Sequence, residues 1–249
     1  MGLGFIPLGV GDAFSALHYS SCLAVEAEGR WLLVDCPHPI RKMLRDASVA
    51  SGFVLDVDSF DGIVVTHVHA DHASGLEGVG FFSHFVLRKR ARLLAHPLVA
   101  QGLWEGRLAG GMSEVAEPST WASRRKVFSD YFDLELLDPD RAVRVGPFEI
   151  ECRRTRHVVP TTALRIRAGG RSLGISADTT FDPRLIAWLA EADLFIHETG
   201  PSIHTPYDAL AALPEELRAR MRLIHYPDAF DVRGSAIEAL VQGRRYEVP

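Results

Sequence analysis

The sequence has few cysteines and no large excess of either charge. Its 249 residues include three cysteines, Cys22, Cys36 and Cys152, and none of them forms a Cys-x-x-Cys pair. This odd, scattered set argues against a disulfide framework or a thiolate zinc site and favours a reducing compartment. Lys and Arg number 27 against 32 for Asp and Glu, a net charge of −5, which argues against a protein that coats nucleic acid electrostatically.

Long hydrophobic runs are also missing. No apolar segment approaches the roughly 20 residues that span a bilayer. Residues 1–6 lack the basic start and the small-residue cleavage site of a signal peptide, and Ile6 stands where a myristoylation signal needs Ser or Thr. We therefore expect a cytoplasmic protein with no membrane partner.

The chain contains enough apolar residues, 47% of the total, for one large core. Short β-rich segments fill the first third and return after residue 142, and helices alternate with strands in the last third. Residues 102–133 mix Gly-Gly, Pro and aromatic residues and are predicted to form a lid or an insertion. No linker or repeat interrupts the pattern, so we expect a single domain, 1–249, of the α/β class.

Local signals predict individual elements. The turn Ala168-Gly169-Gly170-Arg171 is typical of a β-hairpin. Asp182-Pro183 has the form of a helix N-cap followed by Pro, and Thr205-Pro206 repeats that signal. Residues 235–241 have an amphipathic pattern, which predicts a surface helix.

Histidine is plentiful, with 11 residues, and the strongest motif in the chain is Thr66-His67-Val68-His69-Ala70-Asp71-His72. Its His-x-His-x-Asp-His core is expected by chance on the order of once in a thousand such sequences. His67 and His69, at the end of a predicted buried strand, point to the same side and can share a metal. Asp71 and His72 follow a turn and can reach a second ion, and two Zn²⁺ ions about 3.5–4 Å apart form a hydrolytic site.

This motif resembles that of the metallo-β-lactamase superfamily, and the resemblance extends over residues 9–226. It implies an αββα four-layer sandwich and places Asp35 next to the metal ligands as a supporting residue. It also implies that His67, His69 and His157 hold one ion, that Asp71, His72 and His225 hold another, and that Asp178 bridges both. Two Zn²⁺ ions are the implied cofactors, with Mn²⁺ or Fe²⁺ as alternatives.

Two further segments are similar to the ribonuclease Z and cyclic phosphodiesterase branch of this superfamily. Residues 194–199, Leu-Phe-Ile-His-Glu-Thr, resemble its His-Glu-Ala-Thr segment, and His204 resembles a histidine near the scissile phosphate. Only 21 positions separate His157 from Asp178, too few for the tRNA-gripping arm of ribonuclease Z. The resemblance therefore implies a small phosphodiester such as a cyclic nucleotide, and not a long nucleic acid.

The implied reaction is attack on phosphorus by a hydroxide held between the metals. Asp71 and His204 are the predicted catalytic residues, with His204 protonating the leaving oxygen or binding phosphate, while His197 supports the loop and Glu198 orients a neighbour. The sequence leaves open a lactone, thioester or other carbonyl substrate, a single-iron oxygenase, and a non-catalytic metal-binding protein. A homodimer also remains an open alternative.

Overall fold

A computed structural model describes residues 2–249. Short apolar segments form the strands of the fold. In chain order, these are β1 Leu3–Gly9, β2 Cys22–Ala27, β3 Arg30–Val34, β4 Phe60–Val65, β5 Ala91–Ala95, β6 Glu114–Ala116, β7 Ser123–Arg125, β8 Phe132–Leu136, β9 Val143–Val145, β10 Phe148–Arg154, β11 Thr162–Ala168, β12 Arg171–Ile175, β13 Leu194–Glu198, β14 Met221–Ile224 and β15 Tyr246–Glu247.

Helices form most of the connections. They are α1 Ile40–Ser51, α2 Ala70–Ala73, α3 Leu76–Phe81, α4 Pro97–Leu103, α5 Ala109–Met112, α6 Phe128–Tyr131, α7 Pro183–Leu189, α8 Tyr207–Ala211 and α9 Glu215–Ala219. Asp182 caps α7 as predicted, because its carboxylate accepts a hydrogen bond from Arg184 N at 2.9 Å. Among residues 2–249, no helix has the length and apolar content needed to cross a membrane.

The strands form two large sheets. One has the order β15-β1-β2-β3-β4-β5-β8 and the other the order β14-β13-β12-β11-β10-β9. In the first sheet β3, β4, β5 and β8 are parallel. In the second, β12, β13 and β14 are parallel, and β10 runs in the same direction because β11 is antiparallel to both of its neighbours. The carboxyl ends of these strands therefore collect at one edge of each sheet.

Alternation of side chains along β4 divides the core into two layers. Val64 belongs to the cluster that fills the space between the sheets, together with Phe148 of the opposite sheet. Val65 belongs to a second cluster, which contains Met43 of α1 and Leu76 of α3. A strand buried on both faces in this way reads as a continuous apolar run, and the predicted αββα four-layer sandwich is confirmed.

The region 102–133 folds as α5, a β6–β7 hairpin and α6, joined to α4 by a π-helical turn over Trp104–Leu108. Tyr131 is fully buried and donates a hydrogen bond to Met112 O at 3.0 Å. Phe132 is also buried. These two aromatic side chains pack the region against the sheet, whereas the proposed lid role of 102–133 stays a prediction.

Of the other three local predictions, one is wrong, one is confirmed in part and one is confirmed. Residues 235–241 are not helical; the segment is extended and bridges β14 through Leu223 and Ala239. A helix begins directly after Thr205-Pro206 as predicted, but Pro206 and not Thr205 is at the N-cap of α8 and no side chain caps the helix; the Thr205 hydroxyl donates to Thr179 O at 2.9 Å. The predicted hairpin joins β11 to β12, and both of its glycines, Gly169 and Gly170, have positive φ angles of 57° and 74°.

Candidate metal centre

The predicted ligands lie together where the strand ends of the two sheets meet. The His67–His72 motif follows β4, His157 follows β10, Asp178 follows β12 and His225 follows β14. The carboxyl ends of parallel strands are a common place for ligand sites because the loops that follow them share one edge. The fold thus gathers residues that are up to 158 positions apart in the sequence.

The first group consists of His67, His69, His157 and Asp178, whose ligating atoms all lie within 4.8 Å of one another. His69 Nδ1 is 3.2 Å from His67 Nε2 and 3.1 Å from His157 Nε2. A single proton on His69 can serve only one of these nitrogens. Three imidazole nitrogens that converge with a carboxylate fit the donor set of a divalent transition metal such as Zn²⁺.

The second group consists of Asp71, His72, Asp178 and His225. His225 Nε2 is 3.2 Å from Asp71 Oδ2, and His72 Nε2 is 3.2 Å from Asp178 Oδ1. Asp178 belongs to both groups, with its Oδ2 3.7 Å from His67 Nε2 and 3.6 Å from His225 Nε2. This placement agrees with the predicted bridging position of Asp178, although the ligand roles of all seven residues stay predictions.

Asp35 forms hydrogen bonds that hold a histidine of each group in place, directly for His72 and through Thr66 for His67. Its carboxylate accepts hydrogen bonds from Thr66 N, Thr66 Oγ1 and His72 Nδ1, each at 2.8 Å. The Thr66 hydroxyl hydrogen is used on Asp35, so His67 Nδ1, 3.0 Å away, is the donor to Thr66 Oγ1. Asp35 and Thr66 thus engage Nδ1 of His72 and of His67, and they direct Nε2 of both rings towards the centre, as carboxylates and hydroxyls do for metal-ligating histidines.

Burial keeps His67 and His157 neutral. Loss of water around His67 holds its pKa well below its usual range, and burial lowers the pKa of His157 to about 4. At Asp178 burial opposes the charge, but His72 and His225 outweigh it and hold the pKa of the carboxyl well below its usual value. The first group therefore offers neutral His67 and His157 beside an ionised Asp178 at neutral pH, the forms that bind metal. At His72 the carboxylates of Asp178 and Asp35 outweigh burial and raise the pKa well above its usual value, so metal binding there releases a proton.

Several buried atoms of the centre have no hydrogen-bond partner among residues 2–249. They are His72 Nε2, His157 Nδ1, His225 Nδ1 and Asp178 Oδ1. Unpaired polar atoms are costly in a protein interior. His72 Nε2 and Asp178 Oδ1 face one another across the second group, so a divalent cation placed there accounts for both, and the residues fit the implied metal.

The backbone is strained at three positions around this centre. Asp35, Ala177 and His225 have φ angles of 63°, 50° and 59°, a left-handed region that residues with a side chain rarely adopt. Asp35 and His225 are themselves part of the centre, and Ala177 precedes Asp178. Such strain persists where the surrounding structure fixes a functional geometry.

His204 lies beside the second group and is tied to Glu198. His204 Nδ1 donates to Glu198 Oε1 at 3.0 Å, and the same oxygen accepts from Thr179 N at 2.9 Å. This hydrogen bond raises the pKa of His204. The His204 ring centroid lies 4.9 Å from that of His225, so Glu198 orients a neighbour as expected. His197, by contrast, is fully buried with Nδ1 bonded to Glu198 O, in keeping with a supporting role.

The sequence matches a known protein family over nearly its whole length. The family model described as anti-Pycsar protein Apyc1 matches residues 3–240. The chain belongs to this family. The anti-Pycsar protein Apyc1 of Saccharibacillus brassicae is 30% identical over 97% of this chain and 98% of its own length. The Apyc1 protein of Bacillus phage 010DV004 is 33% identical over 96% of each chain.

Solved structures agree with the fold of this Apyc1-family chain. The metallo-β-lactamase fold protein YhfI from Bacillus subtilis has a TM-score of 0.78 at 19% identity, covering 99% of this chain and 100% of its own. A diphosphatase of the PhnP family has a TM-score of 0.71 at 15% identity, with 99% and 98% coverage. These likenesses confirm the predicted metallo-β-lactamase fold, and the predicted hydrolase class is confirmed as well.

Sequence reasoning gave no role to two residues that hold the site in place. Thr66 was part of the motif, but only the structure places its hydroxyl between Asp35 and His67. Asp228 accepts hydrogen bonds from Ser15 Oγ and Ala16 N and so fastens the loop after β1 next to the segment that carries His225. A pattern of sequence spacing could indicate Thr66, which directly precedes the motif, but not Asp228.

Proposed function

We propose that this protein is a dinuclear zinc phosphodiesterase that hydrolyses a small cyclic phosphodiester, with a cyclic nucleotide as the substrate class. The observation that carries the proposal is the pair formed by Glu198 and His204 beside seven gathered ligands. A metal centre alone suits carbonyl and phosphoryl substrates equally. A histidine oriented by a carboxylate next to that centre can protonate a leaving oxygen, and membership of the anti-Pycsar Apyc1 family favours a phosphodiester over a lactone as the source of that oxygen.

Each group of residues has a defined task. His67, His69 and His157 would hold one ion, Asp71, His72 and His225 the other, and Asp178 both. Two bound zinc ions supply an activated water and neutralise charge on the phosphoryl oxygens. Asp71 also borders the space where a substrate phosphate must lie, since its side chain keeps 11% exposure while His72 and Asp178 are buried.

His204 is suited to deliver the proton. Its Nδ1 is engaged by Glu198, so Nε2 is the nitrogen left to carry a proton to the leaving oxygen. The raised pKa of His204 keeps this nitrogen protonated over more of the neutral range. Its side chain is 18% exposed, which allows contact with a bound substrate.

The short segment between His157 and Asp178 favours a small substrate. Most of this segment forms the β11–β12 hairpin, whose turn consists of only two residues, Gly169 and Gly170. It holds no extended arm that could grip an RNA. Membership of the anti-Pycsar Apyc1 family further supports a small-molecule substrate.

A substrate panel measured beside zinc content tests the proposal. We expect hydrolysis of cyclic nucleotides and of a bis-aryl phosphate, and little or no turnover of lactones or glutathione thioesters. His67→Ala should abolish the activity, whereas His84→Ala is the matched control because His84 contacts Asp130 of α6 and not the centre. Turnover confined to the carbonyl substrates would overturn the proposal and favour the alternative hydrolase.

A further inference from the structure

A cavity of about 390 Å³ opens beside the metal centre and shares His157 with it. Its other lining residues are Arg156, Val158, Thr180 and Ile203. The volume is within the usual range for small-ligand pockets, about 300–1,000 Å³. A substrate whose phosphate lies on the ligands can therefore extend over His157 into this cavity.

Two exposed apolar side chains form the walls. Val158 is 67% exposed and Ile203 46% exposed. A single exposed aliphatic residue is ordinary. Here, however, each one directly follows or precedes a residue of the active centre, since Val158 follows the predicted ligand His157 and Ile203 precedes His204. The His157 and His204 ring centroids are 5.7 Å apart. Because Val158 and Ile203 are the chain neighbours of these two histidines, the positions of the histidines at the centre also limit the distance between Val158 and Ile203.

The walls are held by the backbone and not by loose loops. Thr180 N donates to Arg156 O at 3.0 Å, which joins the segment before Val158 to the segment after Asp178. On the other side, Gly200 N donates to Thr205 O at 3.0 Å and closes the loop that carries Ile203. A preformed cleft loses less binding free energy to ordering than a flexible one.

The chemistry of the cavity is mostly apolar. Arg156 supplies the one charged side chain of its lining, and the Arg156 guanidinium is held by Asp182, with Nε 3.2 Å from Oδ2. Apolar walls with one cation at the rim suit a flat organic ring attached to an anion. They do not suit a second phosphate, which would need several donors.

We propose that Val158 and Ile203 form the shelf on which the nucleobase of the substrate packs, and that they determine how strongly the enzyme distinguishes a cyclic nucleotide from a cyclic phosphate without a base. This inference rests on the proposed function for the identity of the substrate. It adds two binding residues that take no part in metal binding or proton transfer.

The test compares two ligands by isothermal titration calorimetry on the zinc-loaded protein. One is a slowly hydrolysed cyclic nucleotide phosphorothioate, and the other is the same cyclic ribose phosphorothioate without the base. In the wild type we expect the base to tighten binding by roughly 30-fold or more, and in Val158→Ser with Ile203→Ser we expect this advantage to fall by about tenfold, since apolar contact area is lost. Zinc content is measured for each protein.

Val54→Ser is the matched control. Val54 is 94% exposed and precedes β4, so it lies at the opposite end of the strand from the His67 motif. This variant should keep the full advantage of the base. The proposal would be wrong if the double variant kept the full preference for the ligand with the base, or if the wild type bound both ligands equally well. Because the measurement is of binding, loss of the base advantage supports the shelf even where turnover of cyclic nucleotides is absent, and that absence counts only against the proposed function.

Discussion

At the scale of single residues, Asp178 is the group on which both halves of the centre depend. Its Oδ1 is 3.2 Å from His72 Nε2, and its Oδ2 is 3.7 Å from His67 Nε2 and 3.6 Å from His225 Nε2. No other residue in the described part of the chain belongs to both predicted ligand groups. Its negative charge is therefore the one contribution that neither half can replace.

Asp178→Asn should accordingly lower bound zinc below two ions per chain. It should also reduce phosphodiesterase activity by at least about 100-fold, the usual loss when one charge-stabilising group is removed from a reaction centre. Zinc is measured by elemental analysis of gel-filtered protein. Asp58→Asn removes one charge from an exposed position before β4 and should leave both quantities unchanged. Full zinc occupancy in Asp178→Asn would contradict the bridging position.

Glu198 has a different task, because its contact is with His204 and Thr179 and not with a predicted ligand of the first group. Glu198→Gln keeps the shape but removes the charge that favours protonated His204. We expect kcat to fall roughly tenfold to 100-fold, as is typical when a supporting partner is changed, with zinc content unchanged. His204→Ala should cost about as much or more, and the double variant should lose little beyond His204→Ala because the two residues act as a unit. Additive losses would show that they act separately.

At the scale of elements, the turn between α2 and α3 shows how closely the motif is pressed against the sheet. Gly75 N donates to Cys36 O and Cys36 N donates to His72 O, both at 2.7 Å. A Cβ on Gly75 would lie 2.5 Å from Pro37 O and 2.8 Å from Cys36 O. The loop that carries Asp35 and the helix that carries His72 thus fit together only with glycine at this turn.

Gly75→Ala should therefore destabilise the protein by about 1–3 kcal/mol, the range for overpacking, and should weaken zinc binding because the Asp35–His72 hydrogen bond shifts. Gly78→Ala is the internal comparison. Gly78 is exposed within α3, which begins directly after Gly75, and nothing lies within 4 Å of its added Cβ. Alanine there should stabilise the helix by about 0.5–1 kcal/mol. Urea unfolding gives both values, and equal effects would refute the close fit.

The metal-binding motif can be predicted from the sequence, whereas the conformation of residues 235–241 cannot. The His67–His72 motif is recognisable from the sequence because four predicted metal ligands lie within six residues, whereas the roles of His157, Asp178 and His225 are implied only by the resemblance to the metallo-β-lactamase superfamily. Residues 235–241 were mispredicted because their apolar spacing suits a helix and a strand alike. In the structure the segment pairs with β14 instead, because the backbone of Leu223 forms hydrogen bonds with Glu238 and Leu240. Such a contact between distant parts of the chain cannot be predicted from local sequence patterns.

At the scale of the whole molecule, the centre is also a stability element. Its ligands come from the loops of both sheets, so bound metal joins one half of the sandwich to the other. Without metal, the buried atoms His72 Nε2 and Asp178 Oδ1, which face one another in the second group, lack hydrogen-bond partners. Metal that binds the folded chain and not the unfolded chain must therefore raise the free energy of unfolding.

Removing the metal with a chelator should lower Tm, and restoring zinc should raise it again. At free zinc 100 times Kd, one site stabilises the fold by about 2.7 kcal/mol, which corresponds to a shift of roughly 5–11 °C for a chain of this size. The measurement is a thermal scan in zinc buffers with chelator-treated protein as the reference. Asp178→Asn should show a much smaller zinc-dependent shift, because it lacks the carboxylate shared by the two ligand groups. A shift of equal size in the variant would place the stabilising metal elsewhere on the molecule.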